Sequence, residues 1–250
     1  MSDLYIELLK KVLTNTLFEA EPDIDDDAHR FIAGFTRHYI KAPAITMLPM
    51  ARMNNLELCV RTVIAERVPG DLIETGVWRG GACILMRALL ESTKEPSRAV
   101  WVADSFQGLP EPDAQKFPIE AKAFHGPVIT EAYDRFAASL ETVQANFRAF
   151  SLLDERVKFL KGWFKDTLPG APIEKLAVMR LDGDYYASTM DALTALYDKL
   201  SPGGFVIIDD YGEDLWTNCR QAVDAFRNSR GITDALVRVD SKCSYWRRAR

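Results

Sequence analysis

From Pro69-Gly70 onward, short apolar runs alternate with helix-length stretches, and this rhythm leaves few folds open to the chain. Strand-like runs fall at 71–75, 99–104, 157–161, 176–181, 205–209, 235–239 and 245–247. Helical stretches fall at 81–90, 132–150, 189–199 and 219–230. Such alternation specifies βαβ units, hence an α/β fold with a mostly parallel sheet flanked by helices. Ligands of these sheets bind beyond the C-terminal ends of the strands. Residues 1–68 follow another pattern and are read as an N-terminal helical cap on a domain spanning 69–250. Leu4, Leu8 and Val12 lie at helical spacing in 3–18, and Leu56, Val60, Val63 and Ile64 do so in 51–67. Between them lie an acidic loop, 21–27, and an irregular stretch, 28–50.

Composition removes several classes of function. A formal net charge of -5 opposes a nucleic-acid surface, which needs concentrated Lys and Arg. Cys59, Cys83, Cys219 and Cys243 are far apart and form no CxxC pair, so reduced core thiols are expected. Three histidines without HExxH spacing argue against a His-rich metal centre. The acidic, interrupted N-terminus is not a signal peptide, and no run reaches the ~18 apolar residues of a membrane span. A cytoplasmic protein with no membrane or nucleic-acid partner is expected.

The strand ends carry the chemistry. The first ends in Glu74-Thr75-Gly76-Val77-Trp78-Arg79-Gly80-Gly81. Gly76 permits a turn at positive φ, and Gly80 and Gly81 let a ligand approach the backbone where a helix begins. The loop is neither GxGxxG nor a P-loop, and its acid suits a ligand bearing an ammonium group. An ordinary glycine-rich turn is the plainer reading. The second strand ends in Asp104-Ser105-Phe106-Gln107-Gly108, where a carboxylate can accept both hydroxyls of a ribose or simply cap a turn. Together the two ends point to an adenosyl ligand. Gly162-Trp163 follows the third strand, with Trp163 suited to stacking on adenine or to a core or lid role. The long connection 111–131 reads as an active-site lid.

The fourth and fifth strands end in Asp182-Gly183-Asp184 and Asp209-Asp210. Parallel neighbours bring Asp182, Asp209 and Asp210 to one edge. Crowded carboxylates raise one another's pKa, and a hard divalent cation with oxygen ligands compensates directly. Asp184, two residues after Asp182, is the candidate to take a proton while its neighbour binds the metal. Turn capping is the alternative.

The strings ETGVWRGGACI, WVADSFQGLP, FLKGWFKDTLP, MRLDGDYYASTMD and LSPGGFVIIDDY resemble the TylF (macrocin) O-methyltransferase family, whose members act on deoxysugars of macrolide and aminocoumarin antibiotics. The match runs from about Met50 to the end. The resemblance implies a class I, Rossmann-like methyltransferase fold dependent on S-adenosylmethionine (SAM). It implies SAM contacts among Glu74, Thr75, Gly76, Trp78, Arg79, Gly80, Gly81, Asp104, Ser105, Phe106, Gly108, Ser139, Gly162, Trp163 and Asp182. It further implies Mg²⁺ on Asp182, Asp209 and Asp210, with Asp184 as general base. The expected reaction is methylation of a sugar hydroxyl on a small-molecule glycoside. A metal-dependent catechol methyltransferase and a non-catalytic SAM-binding protein are the rival readings, and the missing GxGxxG disfavours a nicotinamide dehydrogenase. A homo-oligomer is expected because helix 3–18 stands outside the α/β core.

Overall fold

The structure, a computed structural model, describes residues 3–18, 44–126, 136–212 and 217–250. Most of the stretch read as an irregular cap (28–50), and part of the connection read as a lid, lie outside the described residues.

Two helices come first, α1 (Asp3–Leu13) and α2 (Met50–Ala65). Then follow β1 (Asp71–Thr75), α3 (Gly81–Ser92), β2 (Val100–Asp104), α4 (Pro118–Phe124), α5 (Leu140–Ala149) and β3 (Val157–Lys161). The chain continues through α6 (Phe164–Thr167), β4 (Leu176–Leu181), α7 (Tyr186–Leu196), β5 (Leu200–Ile208), α8 (Thr217–Ser229), β6 (Val237–Arg238) and β7 (Ser244–Arg247).

Among the described residues one seven-stranded sheet runs in the order β3-β2-β1-β4-β5-β7-β6. The first five strands are parallel, and β7 pairs antiparallel with both β5 and β6. The order reverses between β1 and β4, the switch point where such sheets bind ligands. Side chains alternate across the sheet, as a two-residue period demands. Leu72, Val102 and Val178 pack with α1, α2, α3 and α5 on one face. Ile73, Ala103, Met179 and Val206 pack with α7 and α8 on the other. Strands buried on both faces account for the near-continuous apolar runs.

The N-terminal helices share the first of these cores, through Ile6, Leu9 and Leu13 of α1 and Met53, Leu56, Val60 and Val63 of α2. The stripe Leu4, Leu8 and Val12 faces away from it, 79%, 51% and 38% exposed. Helix α1 ends at Leu13, five residues before the expected residue 18, and Asn15 just beyond it takes a left-handed φ of 57°. Strand β5 starts earlier than expected because Leu200 already pairs with Leu176. Helix α5 starts at Leu140 under the cap of Ser139, and residues 137–139 before it are not helical.

Candidate active site

The β1 loop is built by close approach of backbones. A Cβ on Gly76 would lie 1.8 Å from the carbonyl oxygen of Asp182, and the residue sits at φ 83°. Gly76 N–H donates to Ala103 O and Asp182 N–H to Thr75 O, both at 2.9 Å, so the ends of β1, β2 and β4 are locked together. Trp78 and Gly80 turn the loop with φ of 47° and 87°. The space beside Gly80 and Gly81 is filled by the chain itself, at Val143 and Ile45. Arg79 stacks on Trp78 at 4.2 Å and donates to Ala44 O at 2.7 Å.

Asp104 ties this loop to the next. It accepts from Val77 N–H and Phe106 N–H, each at 2.7 Å. Burial raises its pKa, and these backbone donors oppose the rise. Phe106 has φ 57°, and the Ser105 hydroxyl donates to Gly108 O at 2.9 Å. Gly162 N–H donates to Asp104 O at 2.9 Å, which brings Trp163 to the same edge. Ser139 accepts from Thr142 N–H at 3.2 Å and caps α5. Glu74 lies beneath the loop, 2% exposed. Its oxygens accept from Arg180 at 2.5 Å and from the Cys83 thiol at 2.9 Å. Burial pushes its pKa up to about 7 against the pull of Arg180.

The acids of β4 and β5 do meet, in two groups. Carboxylate oxygens of Asp182, Asp184 and Asp210 lie within 4.8 Å of one another. Asp184 takes a left-handed φ of 59°, and its N–H donates to Asp210 at 3.2 Å. Burial, then mutual repulsion, raises Asp184 and Asp210 well above the usual carboxylate range. Burial, then repulsion from Asp209, lifts Asp182 to about 6 against the pull of Arg180. Asp209 behaves otherwise. Burial works against its charge, but Arg180 and Arg52 hold its carboxyl below the ordinary value. One oxygen accepts from Arg180, the other from Arg52 at 2.7 Å.

Four residues of this edge were not singled out from sequence. Arg180 is 1% exposed and bonds Glu74, Asp182 and Asp209. Its signal was a lone charge in the strand LAVMRL, two residues before Asp182 and therefore on the same face. Arg52 reaches in from α2 and pairs with Asp240 at 2.6 Å as well as with Asp209. Glu120 on α4 accepts from Tyr186 N–H at 2.7 Å, while the neighbouring Phe117 stacks on the Tyr186 ring at 5.2 Å. Part of the connection expected to be a lid thus docks beside Asp184, through a short helix that sequence periodicity did not show. Neither Arg52, Asp240 nor Glu120 had a local signal, since each meets its partner from a distant element.

Comparison with known proteins agrees with this fold. The chain is 48% identical over 98% of its length, and 92% of the relative's, to an 8-demethyl-8-(2,3-dimethoxy-alpha-L-rhamnosyl)-tetracenomycin-C 4'-O-methyltransferase of Streptomyces olivaceus. It is 45% identical, over 99% of its length and 97% of the relative's, to a mycinamicin III 3''-O-methyltransferase of Micromonospora griseorubida. The solved structure of the O-methyltransferase NovP superposes with a TM-score of 0.86 at 45% identity, covering 100% of both chains. The sequence profile of the macrocin-O-methyltransferase (TylF) family spans residues 40–248, and with it the loop, the acids and the sheet that joins them: the chain belongs to that family of O-methyltransferases.

Proposed function

We propose that the chain transfers a methyl group from SAM to a hydroxyl of a sugar on a glycosylated small molecule, of the macrolide or aminocoumarin type, with a divalent cation, Mg²⁺ first, at the acid cluster. The observation that carries this reading is the convergence of Asp182, Asp184 and Asp210 at the C-terminal edge, beside the β1 loop. Its support is chemical: crowded carboxylates, half-buried at Asp182 and Asp184 and buried at Asp210, with raised pKa values and too few cations suit a hard ion with oxygen ligands. Asp182, Asp209 and Asp210 are the proposed ligands, Asp209 once it is drawn from Arg52 and Arg180, which hold both of its oxygens. The relatives act, by name, on a rhamnosyl tetracenomycin and on a mycinamicin, which motivates a sugar acceptor.

SAM supplies an activated methyl group, and a bound divalent cation lowers the pKa of an alcohol held against it. The chain's own residues do the rest. The segment 74–81 and Asp104–Gly108 shape the proposed donor site at the switch point. Asp184, its pKa raised by burial and by Asp182, is the proposed general base that takes the hydroxyl proton. Phe117 stacked on Tyr186, with Glu120 on the Tyr186 N–H, covers the flank of the site and orients the acceptor. We further propose a homodimer through the exposed stripe Leu4, Leu8 and Val12.

The test is calorimetric titration of EDTA-treated protein with SAM, followed by methyl-transfer assays on a glycoside panel with and without Mg²⁺. Mg²⁺-dependent methylation of a sugar hydroxyl is the expected result. Transfer indifferent to metal would remove the cation, and exclusive methylation of catechols would remove the sugar.

A further inference from the structure

The guanidinium of Arg180 joins two sites that the reaction keeps apart. It donates to Glu74 beneath the β1 loop at 2.5 Å, to Asp182 at 3.0 Å, and to Asp209. Arg180 is 1% exposed and Glu74 2%, so water screens neither partner strongly. The register makes the arrangement intrinsic to the sheet, because Glu74 and Arg180 are direct partners on β1 and β4. Asp182 follows on the same face. Asp209 receives a second cation, Arg52, itself held by Asp240 at 2.6 Å. Among the described residues, Asp184 and Asp210 receive no such cation.

We infer that Arg180 is a built-in counter-ion that competes with the divalent cation for Asp182 and Asp209, and that Glu74 sets how strongly it competes. The inference rests on the cation reading above. In the metal-free protein Arg180 covers two of the three proposed ligands. A cation entering the cluster meets a fixed positive charge and must draw these carboxylates from it. Glu74 is the carboxylate that keeps the guanidinium when the other two turn away, and its negative charge offsets part of the repulsion. Arg180 is thus a positioning residue: it holds the empty cluster together at the cost of metal affinity.

Two substitutions of opposite sign test this, read as Mg²⁺ affinity by calorimetry on EDTA-treated protein, with melting temperature alongside. Arg180→Met removes the competitor, so Mg²⁺ binds about tenfold more tightly while the metal-free melting temperature falls. Glu74→Gln keeps the guanidinium but removes its third anion, so Mg²⁺ binds about tenfold more weakly. The second variant decides the matter if the first does not fold. Wild-type binding with unchanged affinity in Glu74→Gln, or tighter binding in it, overturns the inference alone. No Mg²⁺ binding by any of the proteins overturns the cation reading and the inference with it.

Discussion

At the scale of single residues, neighbouring aspartates are divided by their counter-ions. Asp209 and Asp210 are adjacent in sequence, yet Asp209 lies between two arginines while Asp210 faces Asp182 and Asp184. The first is held ionised and the second pushed toward its neutral form. Asp184 shares the second environment without a cation, which suits a proton acceptor. Replacing Asp184 with Asn keeps the shape and removes the base. We expect kcat to fall by roughly 10²–10⁴ with SAM affinity within twofold, as measured by steady-state kinetics and calorimetry. Parallel loss of both would return Asp184 to a structural role. The motif MRLDGD and the acids of IIDDY were legible as a group from sequence. Which acid is neutralised was not, because the choice depends on Arg52, which lies 157 residues from Asp209 in the chain.

At the scale of elements, α1 and α2 are clamped by one buried cation. Lys10 is 2% exposed and donates to Glu7, Asn54 and Glu57 at 2.6–2.7 Å. A lysine is seldom buried unless it is paired, and removing such a partner leaves acids without compensation. Lys10→Met should cost on the order of 3 kcal/mol in urea unfolding, and the loss should be shared by α2, which carries Arg52 to Asp209. A loss below about 0.5 kcal/mol would mean that the pairs are exposed enough to be screened. The periodicity of 3–18 announced a helix but not which of its faces is buried. Ile6, Leu9 and Leu13 form one apolar face and Leu4, Leu8 and Val12 another, so the pattern serves two surfaces at once.

At the scale of the whole molecule, metal and oligomer each give a measurable response. In metal-free protein, burial and repulsion raise Asp182 to about 6 and hold Asp184 and Asp210 well above the usual carboxylate range. A carboxyl whose folded pKa lies above its unfolded value favours the fold at low pH and loses that contribution as pH rises through the folded pKa. The melting temperature of EDTA-treated protein should therefore fall as pH rises from about 4 to about 6, the range over which Asp182 ionises in the folded state. Saturating Mg²⁺ should flatten that fall, since a ligand of the native state stabilises it. A flat profile without metal would show that the acids are already neutralised. Leu8→Glu should convert the proposed homodimer into a monomer by light scattering, leaving the fold intact because Leu8 is 51% exposed. A monomeric wild type would give the apolar stripe another role.

What the sequence by itself determined is the set of local periods and the punctuation between them. The short apolar runs at 71–75, 157–161 and 176–181 reproduced β1, β3 and β4 to the residue, and in β1 and β4 burial on both faces is the reason that the run is nearly continuous. Glycine and aspartate at strand ends marked the reactive edge, since few other residues serve tight turns and bind hard ions there. Only the tertiary structure decided how the charges pair. Glu74 is read from sequence as a partner for an incoming ammonium group, yet it meets Arg180 across a β1–β4 register that no local pattern encodes. Arg52, Asp240 and Glu120 reach the edge from α2, the β6–β7 hairpin and α4. Spacing along the chain governs which residues share a face, whereas electrostatic pairing depends on distances of a few ångströms, and those exist only once the sheet has closed.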